Sequence, residues 1–315
     1  MNTPILLVNW RRPERTLQVI AALRQVEPKT LFLACDGFVP GDQRINDSIR
    51  AVRAVLASEI NWHCEVETLF AAENQGCRKG VTAAIHWFFA NVPEGIVLED
   101  DVLPCPEFFY FAEKSLDMFR HDPSVGLVSG CNLSSPFSDA DAVETQCFFS
   151  RLAFLWGWAT WRRFWSTYCP EISSEDLLGL RAMSPALPAA VRRYLQMSYG
   201  LVRDGRLDSW DYQVQATLLR NRQLAVLPNG NLIRNTGFDD LGATHGTYRQ
   251  EPTTGYCVPP GMDRAEWRVG EDYLAYERQF SQRRLQRYTM PSYALTYAAD
   301  WASTWRRRIR HRAGF

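Results

Sequence analysis

The residues best suited to chemistry are three adjacent carboxylates, Glu99, Asp100 and Asp101, which directly follow the apolar residues 96–98. Adjacent negative charges repel one another, and burying them at a strand end is costly unless a cation or hydrogen-bond donors compensate. Mg²⁺ and Mn²⁺ suit this role because they prefer oxygen ligands and complete their shells with phosphate oxygens and water. The triplet predicts a metal-assisted phosphate site; the alternative is a solvated acidic turn.

A second reactive carboxylate is Asp211, which stands at the start of a predicted helix beside Trp210. A carboxylate can act as the general base that takes a proton from an attacking hydroxyl, while the tryptophan offers a face on which a sugar can stack. The alternative is an acid that stabilises the helix N-terminus, and Asp208 is a nearby competitor for the role of base. His245, in a loop rich in Gly and Asn, is a candidate metal or diphosphate ligand, with a structural histidine as the alternative.

The elements that must position these groups alternate between short apolar runs and amphipathic stretches. Strands are predicted at residues 5–8, 31–35, 66–70, 95–98 and 125–128, and helices at residues 13–26, 45–56, 81–89 and 108–119. This alternation predicts a three-layer α/β/α fold with a mostly parallel central sheet whose strands are buried on both faces. Ligands of such sheets bind beyond the carboxyl ends of the strands, at residues 9–11, 36–37, 74–76 and 99–101.

The second half of the chain has a different pattern. An aromatic-rich block spans residues 147–168, and a polar helical region follows to about residue 199. A helix is predicted at residues 210–221 and a strand at residues 224–227. Tryptophans in the aromatic block are expected to build core and also to offer surfaces for sugar binding.

The acidic triplet begins a longer motif that is specific to one family. Residues 99–111, Glu-Asp-Asp-Val-Leu-Pro-Cys-Pro-Glu-Phe-Phe-Tyr-Phe, resemble the Glu-Asp-Asp segment of the N-acetylglucosaminyltransferase I family, with its following Pro-Asp-Phe-Phe-x-Tyr-Phe. The resemblance implies the GT-A glycosyltransferase fold, a UDP-sugar donor, Mn²⁺ or Mg²⁺ as cofactor, and inverting transfer to a glycan or lipid-linked acceptor. Shorter matches follow in the same order along residues 5 to 250.

The resemblance also implies a role for individual residues. Asp211 is expected to be the catalytic base, and Asp101 and His245 are expected to hold the metal. The residues expected to bind the donor are Arg11, Asp36, Gln75, His86, Glu99, Asp100 and Trp158, and those expected to bind the acceptor are Trp156 and Trp210. Arg12 and Arg15 compete with Arg11 for the phosphate contact, and core packing is the alternative role of His86. Residues 1–255 are predicted to form the transferase domain, divided into a nucleotide-binding half, 1–130, and an acceptor-side half, 131–255.

The composition constrains location and partners. The chain has 315 residues, a formal net charge of zero and eight scattered cysteines without zinc-ligand spacing, so we expect reduced thiols in a cytosolic protein and no nucleic-acid partner. The first apolar run is too short for a signal peptide, and no run of about 18 apolar residues occurs. Residues 256–315 are predicted to form a helical and basic extension. Tryptophans and arginines in residues 301–315 suit an anionic membrane surface on the inner face, or else a disordered basic tail.

Two other functions fit the same sequence. A sugar nucleotidyltransferase would share the nucleotide-binding sheet, although it normally carries a Gly-rich phosphate loop after the first strand, and residues 9–13 contain no glycine. A catalytically inactive sugar-binding or scaffold protein is the other alternative. The presence of Glu99, Asp100, Asp101, Asp211 and His245 favours an enzyme.

Overall fold

A nine-stranded mixed β-sheet forms the centre of the protein in a computed structural model, which describes residues 1–133, 146–183, 187–237, 269–270 and 273–285. Two shorter strands, β5 and β10, pair separately. The strands are β1 (Ile5–Asn9), β2 (Thr30–Cys35), β3 (Glu65–Phe70), β4 (Glu94–Glu99), β5 (Val102–Pro104), β6 (Val125–Ser129), β7 (Cys147–Ser150), β8 (Trp158–Trp161), β9 (Leu224–Pro228), β10 (Ile233–Asn235) and β11 (Val269–Gly270).

The strand order in the large sheet is β11-β7-β9-β6-β8-β4-β1-β2-β3. Strands β3, β2, β1 and β4 run parallel, β8 is antiparallel to both β4 and β6, and β9 is parallel to β6. The five strands predicted in the first half of the chain are confirmed, and so is the mostly parallel sheet. Strands β7 and β8, within the aromatic block, were not predicted as strands.

Helices cover both faces of this sheet and make the fold three-layered. Residues of α1, α2 and α4 share one apolar core, and residues of α3, α5 and α8 share the core on the other face. The helices are α1 (Pro13–Arg24), α2 (Gln43–Ser58), α3 (Gly76–Asn91), α4 (Pro106–Met118), α5 (Arg162–Trp165), α6 (Ser174–Met183), α7 (Ala189–Arg203), α8 (Asp211–Arg220) and α9 (Tyr273–Arg284). Pro13 and Pro106 each begin a helix, where the missing N–H costs nothing.

Strand β3 differs from the other early strands, because all six of its residues are exposed. It pairs only with β2 and lies at the edge of the sheet. Val66 is 40% exposed, whereas the apolar residues 5–7 of β1 and 96–98 of β4 are buried. The expectation that every early strand is buried on both faces is therefore wrong for β3, whose residues are exposed at the edge of the sheet.

Helix α9 belongs to the predicted C-terminal extension, and it packs into the body of the protein. Tyr276 is fully buried and its ring lies 4.5 Å from that of Phe148 on β7. The neighbouring Glu277 is also fully buried, and it accepts hydrogen bonds from the backbone N–H and the Nε of Arg151, each at 3.0 Å. A buried ion pair therefore fastens α9 beside β7.

The seven cysteines in the described part of the chain are free thiols, and four of them are buried. Within the same residues, no helix combines the length and the apolar character that crossing a bilayer requires. The tail at residues 301–315 lies outside the described residues.

Candidate functional site

The acidic triplet lies at the carboxyl end of β4, next to the end of β1. Asp100 is 5% exposed, and its Oδ2 accepts a hydrogen bond from the backbone N–H of Trp10 at 3.3 Å. Because β1 and β4 are parallel neighbours, the residues that follow them meet at the same edge of the sheet. The triplet thus lies where a doubly covered parallel sheet binds its ligands.

A single arginine joins two of these carboxylates. Nη1 of Arg12 lies 3.0 Å from Oδ1 of Asp100 and 3.0 Å from Oδ2 of Asp101. Arg11, the predicted donor ligand, places its guanidinium 4.4 Å from the ring centre of Trp10 instead. The tight turn between Asn9 and Pro13 thus directs Arg12, rather than Arg11, to the triplet.

Burial and mutual repulsion perturb the pKa of these carboxyl groups. Burial is the main cause that raises the pKa of Asp100 to about 6, and the charge of Asp101 adds to it, whereas Arg12 lowers it. Burial also holds the pKa of Glu99 well above its ordinary range, helped by the charges of Asp101, Asp100 and Asp211. The site therefore carries more negative charge than Arg12 neutralises, and it favours a bound cation.

The other side of Asp101 is formed by residues that the sequence did not reveal. Its backbone oxygen accepts hydrogen bonds from the N–H of Thr236, at 2.8 Å, and from the hydroxyl of Thr236. A Cβ added to Gly237 would overlap Oδ2 of Asp101 and lie 3.0 Å from its Cγ. Asp101 is thus enclosed between Arg12 and the backbone of the segment after β10, and a glycine next to Asn-Thr was the only signal for this.

Asp211 is the first residue of α8. The hydroxyl of Ser209 donates a hydrogen bond to Oδ1 of Asp211 and orients it. Its negative charge contributes to the raised pKa of Glu99, although the two residues are far apart in sequence. The fold therefore brings the predicted base and the predicted donor site together.

Cys77, near the start of α3, lies among the same acidic groups. Burial raises the pKa of its thiol, and the charges of Glu99, Asp211, Asp208 and Asp101 raise it further. Asp208 lies beside the start of this helix: a Cβ added to Gly76 would be 3.5 Å from Oδ2 of Asp208. The thiol is therefore held protonated, and Asp208 is close enough to remain a competitor of Asp211.

Asp36 organises the loop that precedes α3. Its Oδ1 accepts the N–H groups of Gly37 and Gln75, and its Oδ2 accepts the N–H of Gly76 and the side-chain amide of Asn74. Four donors use the lone-pair positions of both oxygens. A contact between Asp36 and a uracil remains a prediction, and it would require the exchange of one of these bonds.

Gln75 and His86 are both exposed; Gln75 directly precedes α3, and His86 lies in the second half of this helix. The side chain of Gln75 donates to the backbone oxygen of Glu73. His86 lies ten residues beyond Gly76 on this helix, which corresponds to roughly 15 Å along its axis. Its Nδ1 pairs with the backbone oxygen of Thr82 at 2.7 Å. Because of the distance along the helix, the structure brings Gln75, but not His86, to the edge of the sheet that carries the acidic triplet.

Two of the tryptophans expected at the ligand lie in the core instead. Trp158 is 1% exposed and Trp210 is 4% exposed, and their ring centres are 5.9 Å apart. Protein covers both rings in this structure, and the expected contacts of Trp158 with the donor and of Trp210 with the acceptor stay predictions. Trp156 is partly buried and packs against the core of α1, α2 and α4, so its acceptor role remains a prediction.

The described residues contain no group of three or more His, Cys, Asp and Glu side chains arranged around one metal position. His245, the second predicted metal ligand, lies outside the described residues. Asp101 fits a hard divalent ion by its chemistry, because its Oδ1 accepts no hydrogen bond from the described residues, and such ions need few protein carboxylates. Asp101 is thus the described side chain best suited to hold Mn²⁺ or Mg²⁺.

Comparisons with known proteins give two distant structural likenesses. A putative glucose-1-phosphate thymidylyltransferase from Bacillus anthracis, solved in complex with a sucrose, shares 11% identity at a TM-score of 0.32, over 56% of this chain and 77% of its own. A UDP-glucose pyrophosphorylase complexed with UDP-glucose shares 10% identity at a TM-score of 0.29, over 69% of this chain and 97% of its own. Scores this low carry no argument about fold or function. No protein-family model and no curated protein matches the sequence.

Proposed function

We propose that this protein is a glycosyltransferase that uses a nucleotide-diphospho-sugar donor. The observation that carries the proposal is the proximity of Asp211, oriented by Ser209, to the acidic triplet at the end of β4. One carboxylate can then act on an acceptor hydroxyl while the others face the donor. The resemblance of residues 99–111 to the N-acetylglucosaminyltransferase I family supports the same assignment.

In this reaction Asp211 is the general base. Its carboxylate, at the first residue of α8, is a group that can accept the proton of an attacking hydroxyl. The acceptor oxygen attacks the anomeric carbon, its proton passes to Asp211, and the bond between that carbon and the diphosphate breaks. One displacement of this kind inverts the anomeric centre. Glu99 and Asp100 would orient the hydroxyl groups of the donor sugar.

The departing diphosphate needs positive charge close to the triplet. Asp101 would hold a divalent cation, with His245 as its predicted second ligand, and this cation supplies charge to the leaving group. Arg12 is the described cation nearest to the same position. We propose Mn²⁺ or Mg²⁺ as the cofactor.

The donor is proposed to be a UDP-sugar, and the acceptor a glycan or a lipid-linked intermediate. Arg11, Asp36, Gln75 and His86 are the residues that the family resemblance links to the nucleotide. Residues 301–315 are proposed to bring the enzyme to an anionic membrane. In a flotation assay with anionic liposomes, the full chain should float with the liposomes, and a chain that ends at residue 300 should not. Equal flotation of the two chains would contradict the membrane role.

A sugar nucleotidyltransferase is the competing enzyme class. Such an enzyme must wrap the triphosphate of its substrate, and a glycine-rich turn normally does so. Only three residues, 10–12, connect β1 to α1, and none is glycine. This short connection favours the glycosyltransferase.

A donor screen separates these functions. UDP-, GDP-, dTDP- and CMP-sugars are incubated with the protein and Mn²⁺, and released nucleotide is measured; parallel reactions contain nucleoside triphosphate and sugar 1-phosphate. Release of UDP, GDP or dTDP from the corresponding donor supports the proposed glycosyltransferase, whereas use of a CMP-sugar would release CMP. Release of pyrophosphate supports the nucleotidyltransferase. If the protein neither binds nor turns over any donor, the scaffold function is supported.

The variant Asp211→Asn tests the base. It should bind the donor as the unchanged protein does and lose about 10²- to 10⁴-fold in turnover, the usual contribution of a general base. The exposed Asp204→Asn, at the end of α7, is the matched control and should keep full turnover. If Asp211→Asn keeps full turnover and Asp208→Asn loses it, Asp208 rather than Asp211 is the general base.

A further inference from the structure

Arg12 occupies the position where positive charge is most needed. One nitrogen of its guanidinium contacts Asp100 and Asp101 at the same distance, 3.0 Å, and all three side chains are largely buried, with exposures of 21%, 7% and 19%. Charge-assisted contacts in such a setting are stronger than those between neutral groups. Arg12 is therefore a resident counter-cation of the site.

Asp101 is restrained from leaving this arrangement. Thr236 holds its backbone oxygen, and Gly237 lies so close to Oδ2 that no additional carbon fits between them. Arg12, by contrast, carries its charge on a long side chain at the first turn of the chain after β1. Asp101 is thus the more closely packed of the two groups.

A divalent cation at Asp101 would bring three positive charges to one carboxylate. Two cations that share a ligand repel each other, and the repulsion is substantial where water is largely excluded. A nucleotide diphosphate relieves it, because its phosphate oxygens accept both the metal and a displaced guanidinium.

We propose that Arg12 competes with the divalent cation for Asp101, so that the metal binds tightly only together with a nucleotide diphosphate. This inference rests on the metal assignment in the proposed function. It adds a binding order: the nucleotide-free protein holds its own arginine in the acidic site, and donor and metal enter as a pair. Arg12 is a positioning residue in this arrangement.

Mn²⁺ titration of the nucleotide-free protein, followed by the paramagnetic signal of the free ion, tests the competition. Arg12→Met removes the resident charge and should strengthen Mn²⁺ binding about 10- to 100-fold, a usual range for coupling between adjacent sites. Arg12→Gln, which retains hydrogen-bond donors, should do the same and serves if the methionine variant does not fold. Arg24→Met removes the same charge from the far end of α1, where Arg24 pairs with Glu59, and should bind Mn²⁺ as the unchanged protein does.

Addition of UDP completes the test. The unchanged protein should gain Mn²⁺ affinity by at least about tenfold when UDP is present, and Arg12→Gln should gain less. Mn²⁺ affinity that is equal or weaker in a folded Arg12 variant without UDP would overturn the inference, and so would the absence of Mn²⁺ binding in every variant. The titration uses no donor sugar, so its failure is distinct from failure of the donor screen.

Discussion

Replacement of Asp100 by asparagine should make the protein more stable while it damages the site. Asp100 is almost completely buried, and burial together with the charge of Asp101 raises its pKa from the ordinary 3.8 to about 6. The ionised carboxylate is therefore held in the folded protein at a cost. Asparagine resembles the protonated carboxyl group in shape and carries no charge, so Asp100→Asn removes this cost.

The size of the effect follows from the pKa. A rise from 3.8 to about 6, at about 1.4 kcal/mol per pKa unit, corresponds to about 3 kcal/mol. Below about pH 4 the carboxyl of Asp100 is protonated in both the folded and the unfolded chain, so this stability is fully present. Between about pH 4 and pH 6 the unfolded chain releases its proton first, and the folded state loses stability as the pH rises. Above about pH 6 the loss is complete.

Urea unfolding at pH 4 and at pH 7 measures this directly. Asp100→Asn should exceed the unchanged protein by up to about 3 kcal/mol at pH 7 and by little at pH 4. The control Asp47→Asn alters an exposed carboxylate that pairs with Arg50, and should change stability by less than about 0.5 kcal/mol at either pH. An Asp100→Asn protein that is less stable at pH 7, or that shows the same difference at both pH values, would refute the reasoning.

Three further predictions concern the surroundings of the site and the body of the fold. Gly237→Ala places a Cβ against Asp101, and donor turnover should fall at least about tenfold, the effect of losing one charge-assisted hydrogen bond, while circular dichroism remains unchanged. Arg151→Met removes the guanidinium that neutralises the buried Glu277, leaves only the backbone N–H of residue 151 as a donor from this position, and should cost about 3–5 kcal/mol in urea unfolding. Asp36→Asn turns an amide donor towards backbone N–H groups and should cost about 1–3 kcal/mol, with faster proteolysis of the loop before α3.

Matched controls separate these effects from non-specific damage. Gly200→Ala adds a Cβ inside α7 that meets no atom within 4 Å. Because alanine favours a helix more than glycine does, the free energy of unfolding of this variant should rise or remain equal. Arg203→Met breaks the exposed pair with Asp204 and should cost less than about 1 kcal/mol. If a control variant loses as much turnover or stability as the variant it is matched with, the physical cause assigned to that variant is wrong.

The sheet could be predicted from the sequence, because most of its early strands are apolar runs separated by amphipathic helices. The position of the acidic triplet followed from the same pattern, since it directly succeeds the buried part of β4. The edge position of β3 could not be predicted, because the order of strands in a sheet depends on pairing between distant segments. Glu65, Glu67 and Thr68 interrupt the apolar residues of this strand and are consistent with its exposure, but only the sheet topology makes it an edge.

The direction and the burial of the candidate side chains could not be predicted from the sequence, because both depend on tertiary packing. Arg11 and Arg12 differ by one position in a turn, and a turn can direct either residue to Asp100. Trp158 and Trp210 have flat faces suited to sugars, yet the same faces fill the space between β8 and α8. A tryptophan next to an aspartate in the sequence is thus weak evidence for a sugar contact.

The open edge at β3 has a consequence for the behaviour of the protein in solution. Among the described residues no strand pairs with the outer side of β3, so its backbone N–H and C=O groups can pair with another extended chain, and its exposed Val66, Leu69 and Phe70 favour such pairing. Glu65 and Glu67 flank Val66 on this strand. When two copies approach, their carboxylates repel, and this repulsion weakens as salt increases. Resistance to aggregation therefore depends on two glutamates that are remote from the acidic site, and concentrated preparations should remain clearer at low ionic strength than at high.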